Sequence, residues 1–240
     1  MFSSFVLFLA GGSGSRMRGV VADKIFAPLA GVPVIARAVR AFAESGVARA
    51  AVFVCRDDAQ EAAVRETLAA HLAPDAFPLR LFCRGGAERR DSVLNGLRAA
   101  REHGAPDDAV ALIHDAARPL VAPAALRAVL ETARREGAAV LAHRCVNTVK
   151  RVPAGTPPGV ACAQEDLDRS RLWETETPQA FPLGKILDAY ERAVAENRVV
   201  TDDVSAFAAP VALVENFAPN PKITCPQDLL LAAALLPHRS

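Results

Sequence analysis

Gly11, Gly12 and Gly14 are followed by Arg16, Arg18 and Lys24, directly after the apolar run "FVLFLA" of residues 5–10. Glycines let backbone N–H groups approach an anion closely because no Cβ intervenes. Arg16 can take a bidentate contact with a phosphate, and Lys24 can set a point charge on a neighbouring oxygen. The segment is either a phosphate-binding loop or a surface loop with solvated cations; its place after the first apolar run favours the former. Two commoner glycine motifs fail here. A dinucleotide fingerprint, G-x-G-x-x-G, needs a third glycine where Met17 stands. A P-loop, G-x-x-x-x-G-K-[ST], fits Gly14 and Gly19 but continues Val20-Val21, without lysine or hydroxyl. Only Lys24, Lys150, Lys185 and Lys222 are lysines among 28 basic residues, so a lysine beside glycines stands out.

Other segments carry groups of the same kind. In "RGGAERRDSV" (84–93), Gly85 and Gly86 allow close backbone approach and Ser92 offers a hydroxyl; the segment reads equally as a base-binding edge or a tight turn before a helix. In "HDAARP" (114–119), Asp115 can bind a metal or a substrate hydroxyl, and Arg118 can pair with phosphate or with Asp115; Ala116 lies between them. His114 reads as a structural strand-end histidine, and His71, His103, His143 and His238 carry no assigned chemistry. "DRSRLWETETPQAF" (168–181) holds Arg169, Thr177 and the single tryptophan, Trp173, which reads as a core anchor. Thr201, Asp202 and Asp203 suit a helix cap. Lys222 sits in a short extended piece before the last helix. No Ser–His–Asp or Cys–His order marks a hydrolase. Cations in three loops and carboxylates in two favour phosphoryl or nucleotidyl transfer, which depends on positioning and charge neutralisation.

The elements that must position these groups alternate along the chain. Apolar runs at 5–10, 50–55, 79–83, 109–114 and 138–143 read as strands. Helical periodicity marks 33–45, 58–72, 88–103 and 123–136, then 183–196 and 226–236. Gly46, Gly104 and Gly137 suit helix ends, and Pro33, Pro123 and Pro226 suit helix starts. Continuous apolar strands separated by helices predict an α/β, Rossmann-like, mainly parallel sheet with helices on both faces. Ligands bind such sheets beyond the carboxyl ends of the strands. Residues 144–171 break the rhythm and read as a projecting β-arm, with extended pieces at 146–152 and 160–163 that need a partner surface. One domain over 1–240 is expected.

Composition narrows the partners. A net charge of +1 provides no bulk field for nucleic acid or an anionic membrane. No stretch is long enough to span a bilayer, and residues 5–10 read as a strand rather than a signal sequence. Five scattered cysteines, without a C-x-x-C pair, suit a reducing cytoplasm and supply no zinc site.

Taken together, "AGGSGSRM", "DKIFAPLAGVPVI", "GGAERRDSVLNGL", "HDAARP", "NTVKR", "LWETETPQAF", "TDDVSA" and "PKITCPQDL" resemble the 2-C-methyl-D-erythritol 4-phosphate cytidylyltransferases of non-mevalonate isoprenoid synthesis. They occur in that family's order over nearly the whole chain. The resemblance implies transfer of CMP from CTP to 2-C-methyl-D-erythritol 4-phosphate, releasing pyrophosphate, with Mg²⁺ bridging the phosphates. It implies that Arg16, Lys24 and Lys222 are catalytic cations. Ala10, Gly11, Gly12, Gly86, Ser92, Asp115 and Ala116 would bind the nucleotide. Asp115, Arg118, Thr148, Arg169, Thr177, Thr201 and Lys222 would surround the acceptor. Thr148 and Arg169 would reach a neighbouring subunit's site from the 144–171 arm, making a homodimer.

Four positions depart from the family's usual pattern: Leu9 for proline, Gly11 for alanine, Ala87 for aspartate and Asn147 for aspartate. Ala87 removes a carboxylate near the base: if the backbone reads the base, cytosine preference survives, and if not, base selectivity is weakened. Competing expectations are the same transfer to another alditol phosphate such as ribitol 5-phosphate, and a non-catalytic nucleotide-binding protein. A nicotinamide oxidoreductase is disfavoured by the missing third glycine.

Overall fold

The computed structural model describes residues 3–12, 23–207 and 209–236. In chain order these form β1 (Ser4–Leu9), a short hairpin of β2 (Pro28–Leu29) and β3 (Val32–Pro33), α1 (Val34–Ser45), β4 (Ala50–Cys55), α2 (Asp58–His71), β5 (Leu79–Arg84) and α3 (Arg89–Glu102). There follow β6 (Val110–Asp115), α4 (Pro123–Glu136), β7 (Ala139–Arg144), β8 (Val149–Arg151), β9 (Glu165–Leu167), β10 (Trp173–Pro182), α5 (Leu183–Ala195), α6 (Asp203–Phe207), β11 (Ala212–Glu215) and α7 (Pro226–Leu235). Seven strands make one sheet in the order β11-β7-β10-β6-β1-β4-β5. All are parallel except β10, which runs antiparallel to both of its neighbours.

Both faces of the sheet are buried, which is why its strands read as unbroken apolar runs. Val6 and Phe8 of β1 face one core with Phe42 of α1, Phe53 of β4 and Val129 of α4. Phe5 and Leu7 face the other with Leu97 of α3 and Ile186 and Tyr190 of α5. Helix ends follow local chemistry. Pro123 and Pro226 occupy first helical positions, where no N–H is needed. Gly46 (φ 69°) and Gly137 (φ 88°) end α1 and α4 in the left-handed conformation.

One strand goes unmarked by the apolar runs, and one expectation needs correction. The segment around Thr177 is the long strand β10 inside the sheet. Its prolines hid it: a register shift between Thr175 and Gln179 spans Pro178, which has no N–H to offer the ladder. The arm's second strand is β9 rather than 160–163. Charge sets that register, because Arg151 faces Glu165 and Lys150 faces Asp166 across the hairpin. Residues 160–163 have no charge to match, and Val160 is exposed.

Candidate active site

The loops leaving β1, β4, β5 and β6 enclose a cleft of about 450 Å³ at the carboxyl edge of the sheet. Ala10, Gly11, Gly12, Lys24, Gly86, Ser92, Asp115 and Lys222 line it. These come from five separate stretches of sequence. Arg16 lies outside the described residues.

Lys24 opens a single helical turn over Lys24–Phe26. Asp23 caps that turn by accepting from the Ile25 N–H (3.3 Å), and Ile25 is buried beneath it. On the β5 side, the Gly86 N–H donates to Ser92 Oγ (3.0 Å), whose hydroxyl donates to the Glu88 carbonyl (3.1 Å). A Cβ on Gly86 would come within 2.2 Å of the Asp91 Cβ, so the close turn requires glycine.

Asp115 ends β6, buried among cations. Lys222 Nζ stands 2.8 Å from its Oδ2, and Arg118 Nε 3.7 Å from the same oxygen. Burial pushes the Asp115 carboxyl up, but Lys222 and then Arg89 outweigh it and bring it down to about 2. Lys222 is delivered by the segment before α7. The Asn220 carbonyl accepts from Arg118 Nη1 (2.7 Å), and the Ile223 N–H donates to the Ala117 carbonyl (2.8 Å), with Ile223 fully buried. Arg89 also lines the cleft. It forms twin hydrogen bonds of 2.8 and 2.9 Å with the fully buried Asp203, which accepts a further bond from the Tyr190 hydroxyl. Burial opposes the charge on Arg89, yet Asp203 holds that guanidinium above its ordinary value.

His114 is wholly buried and is pushed down to about 4, chiefly by that burial. Its Nε2 lies 3.3 Å from the Arg118 carbonyl, an acceptor, so Nε2 carries the proton. Nδ1 then accepts from the Thr177 hydroxyl (3.0 Å), whose oxygen accepts the Asp115 N–H (3.1 Å). The histidine is a structural pin, as its sequence context suggested. Thr177 therefore sits behind the cleft and fixes the backbone of Asp115.

The remaining positions fall elsewhere. Ala116 is buried, with its N–H on the Leu9 carbonyl, and Ala117 lines the cleft in its place. Arg118 lines an adjoining cleft of about 490 Å³, which shares Lys222 with the first. Thr201 is exposed before α6, its hydroxyl 3.3 Å from Ser205 Oγ, and Asp202 caps that helix through the Ser205 N–H. Thr148 and Arg169 lie on the arm, where Arg169 donates to the Val146 carbonyl (2.9 Å). Trp173 is half-buried at the start of β10 with the Arg144 guanidinium 4.6 Å above its ring, and is not a core anchor. Arg56, Glu88 and Arg89 line the cleft without having been singled out. Glu88 had a local signal, the reciprocal cap with Asp91 that starts α3. Arg89 had none, since its partner lies 114 residues away. Among the described residues no three His, Cys, Asp or Glu side chains gather as a metal site, and no helix is long and apolar enough to cross a membrane.

Along nearly its whole length the chain is similar to proteins of one family. The profile of the family "IspD: 2-C-methyl-D-erythritol 4-phosphate cytidylyltransferase" matches residues 5–238. The 2-C-methyl-D-erythritol 4-phosphate cytidylyltransferase of Syntrophotalea carbinolica is 35% identical over 98% of this chain and 96% of its own. That of Pelotomaculum thermopropionicum is 37% identical over 96% and 92%. The crystal structure of the Thermus thermophilus enzyme is 29% identical, covers 98% of both chains and superposes with a TM-score of 0.73. The chain belongs to the 2-C-methyl-D-erythritol 4-phosphate cytidylyltransferase family.

Proposed function

We propose that this chain transfers CMP from CTP to 2-C-methyl-D-erythritol 4-phosphate. An oxygen of the acceptor's phosphate bonds to the α-phosphorus of CTP, the bond from that phosphorus to the β-phosphate oxygen breaks, and pyrophosphate leaves. The attacking oxygen is already anionic, so no side chain need remove a proton. The protein's task is to bring two anions together and to spread the charge that builds up as the bond breaks. The observation that carries this reading is the convergence of Lys24 and Lys222 on one cleft whose other wall is the glycine backbone of residues 11, 12 and 86. Lys24, with Arg16, neutralises the triphosphate. Lys222, held by Asp115, faces the incoming phosphate, and Arg118 and Thr201 border the acceptor. The Gly86 backbone and Ser92 read the base, a task that falls to them because Ala87 carries no carboxylate.

Magnesium fits the donor set only as a substrate-borne ion. Asp115 is the carboxylate in the cleft best placed to share it, and it already engages Lys222. A small hard cation that keeps phosphate and water ligands needs no more protein than this. When bound it adds charge neutralisation on the triphosphate. We further propose a homodimer, with the 144–171 arm lending Thr148 and Arg169 to the partner's cleft. Exposed Val146, Val152 and Val160 on an arm held by one short hairpin support a second surface packing there. Free cysteines and a net charge of +1 suit the cytoplasm.

The test is pyrophosphate release with CTP and either 2-C-methyl-D-erythritol 4-phosphate or ribitol 5-phosphate, with and without Mg²⁺. Release with the first acceptor, dependent on the metal, is expected. Release with ribitol 5-phosphate alone would reassign the acceptor, and no release with either would leave a binding protein.

A further inference from the structure

Helix α2 buries one stripe, Gln60, Val64 and Leu68, spaced four residues apart. An apolar residue belongs at the first of these positions; a buried amide there costs free energy unless its hydrogen bonds are made. Gln60 is 3% exposed, and hydrogen bonds engage both of its N–H groups and its oxygen. Its Nε2 donates to the Ala10 carbonyl (3.1 Å) and to Asp23 Oδ2 (2.6 Å), and its Oε1 accepts the Arg56 N–H (2.7 Å). The amide orientation is forced, because the flipped form would set Oε1 against a carbonyl and a carboxylate and Nε2 against an N–H.

The three partners lie in three different segments. Ala10 follows β1 and begins the glycine wall of the cleft. Arg56 follows β4. Asp23 caps the turn that starts at Lys24, and Arg56 Nη1 reaches the same Asp23 oxygen at 3.3 Å. Gln60 itself is absent from the cleft lining. We propose that Gln60 is a positioning residue for CTP: its amide fixes Lys24 relative to the Ala10–Gly12 backbone, so that cation and backbone N–H groups meet one triphosphate. This rests on the CTP reading above and adds a residue that touches no substrate.

Two variants test it. Gln60→Glu keeps the shape and the acceptor for Arg56 but loses both donors and faces the Asp23 carboxylate. Gln60→Met keeps the volume and loses every polar contact, and is read if the first fails to fold. Wild type and variant are compared in pyrophosphate release, in CTP binding by calorimetry and in thermal midpoint, alone and combined with Lys24→Ala. The expected result is a loss of about tenfold or more in kcat/KM for CTP, the size of a lost charge-assisted bond, with the acceptor KM changed less than about twofold. On the Lys24→Ala background that loss shrinks to less than about twofold, since the residue it positions is gone. A smaller loss, or one of equal size on both backgrounds, overturns the proposal and leaves Gln60 a helix staple. Absence of turnover in the wild type would instead count against the CTP reading, and CTP binding to wild type and variant would still decide the role of Gln60.

Discussion

Truncation of Lys222 and truncation of Lys24 have different expected consequences, because Lys222 neutralises a buried carboxylate, Asp115. Lys222→Ala removes the nearest counter-charge of a buried carboxylate, leaving Arg118 and Arg89 to hold it. That variant is expected to lose both turnover and about 1–3 kcal/mol of stability, the cost of leaving a buried polar group short of a partner. Steady-state kinetics and denaturant unfolding measure the two losses. Lys24→Ala is expected to lower kcat about 10²–10³-fold, as removal of other electrostatic donors does, with the thermal midpoint little changed; an unchanged kcat removes Lys24 from the mechanism. His114 gives a pH prediction. Its folded value, about 4, lies below the ordinary 6.5. Between those values the unfolded chain takes up a proton that the folded one refuses. Stability therefore falls as pH drops from about 6.5 to about 4, by on the order of 2–3 kcal/mol. Unfolding free energies of wild type and His114→Asn across that range isolate the effect: the difference between them should narrow towards acid pH. Asp115 acts in the same direction but lower on the scale: the folded carboxyl stays ionised while the unfolded one takes up protons around its ordinary 3.8, so its loss of stability falls mainly below this window.

At the scale of elements, the closeness of α3 to the sheet sets the base side of the cleft. Gly96 faces β1 and β4 so tightly that a Cβ would lie 2.3 Å from Leu7 Cδ1 and 2.9 Å from Val54 Cγ2. Gly96→Ala must push the helix outward or twist those side chains, an overpacking cost of about 1–3 kcal/mol. Because Gly86 and Ser92 lie at the start of the same helix, a raised KM for CTP should accompany the lowered unfolding midpoint. The strands and helices of this core were legible because each is long, periodic and buried on predictable faces. Periodicity served less well where pairing is set by distant partners. β10 carries prolines at 178 and 182, and only its neighbours β6 and β7 make it a strand. The arm's register follows cross-strand charges that no hydrophobic pattern reports. In the cleft, glycines and cations beside strand ends could be read locally. The Arg89–Asp203 pair and the amide of Gln60 could not, because each is meaningful only through contacts far along the chain.

The cleft lining and the separate β8–β9 hairpin draw on different residues, so the proposed sharing of sites between subunits can be tested by complementation. Lys24 belongs to the cleft, and Arg169 to the arm that would complete the partner's cleft. In an isologous dimer each site then takes Lys24 from one chain and Arg169 from the other. Lys24→Ala and Arg169→Ala chains should each be nearly inactive alone. In a mixed dimer one site collects both defects and the other collects none. Random pairing of equal amounts makes half the dimers mixed, so co-expression should restore about a quarter of wild-type activity. Pyrophosphate release by the tagged, co-purified pair measures this, and sedimentation confirms that the species is a dimer. If Arg169 served the cleft of its own chain, every site in the mixture would carry one defect and no activity would return. Replacing residues 152–164 by a short turn gives an independent check at the same scale. It leaves the β8–β9 pairs in place but removes the exposed Val152 and Val160, and should shift the protein towards monomer with little turnover. A fully active monomer would place the whole site within one chain.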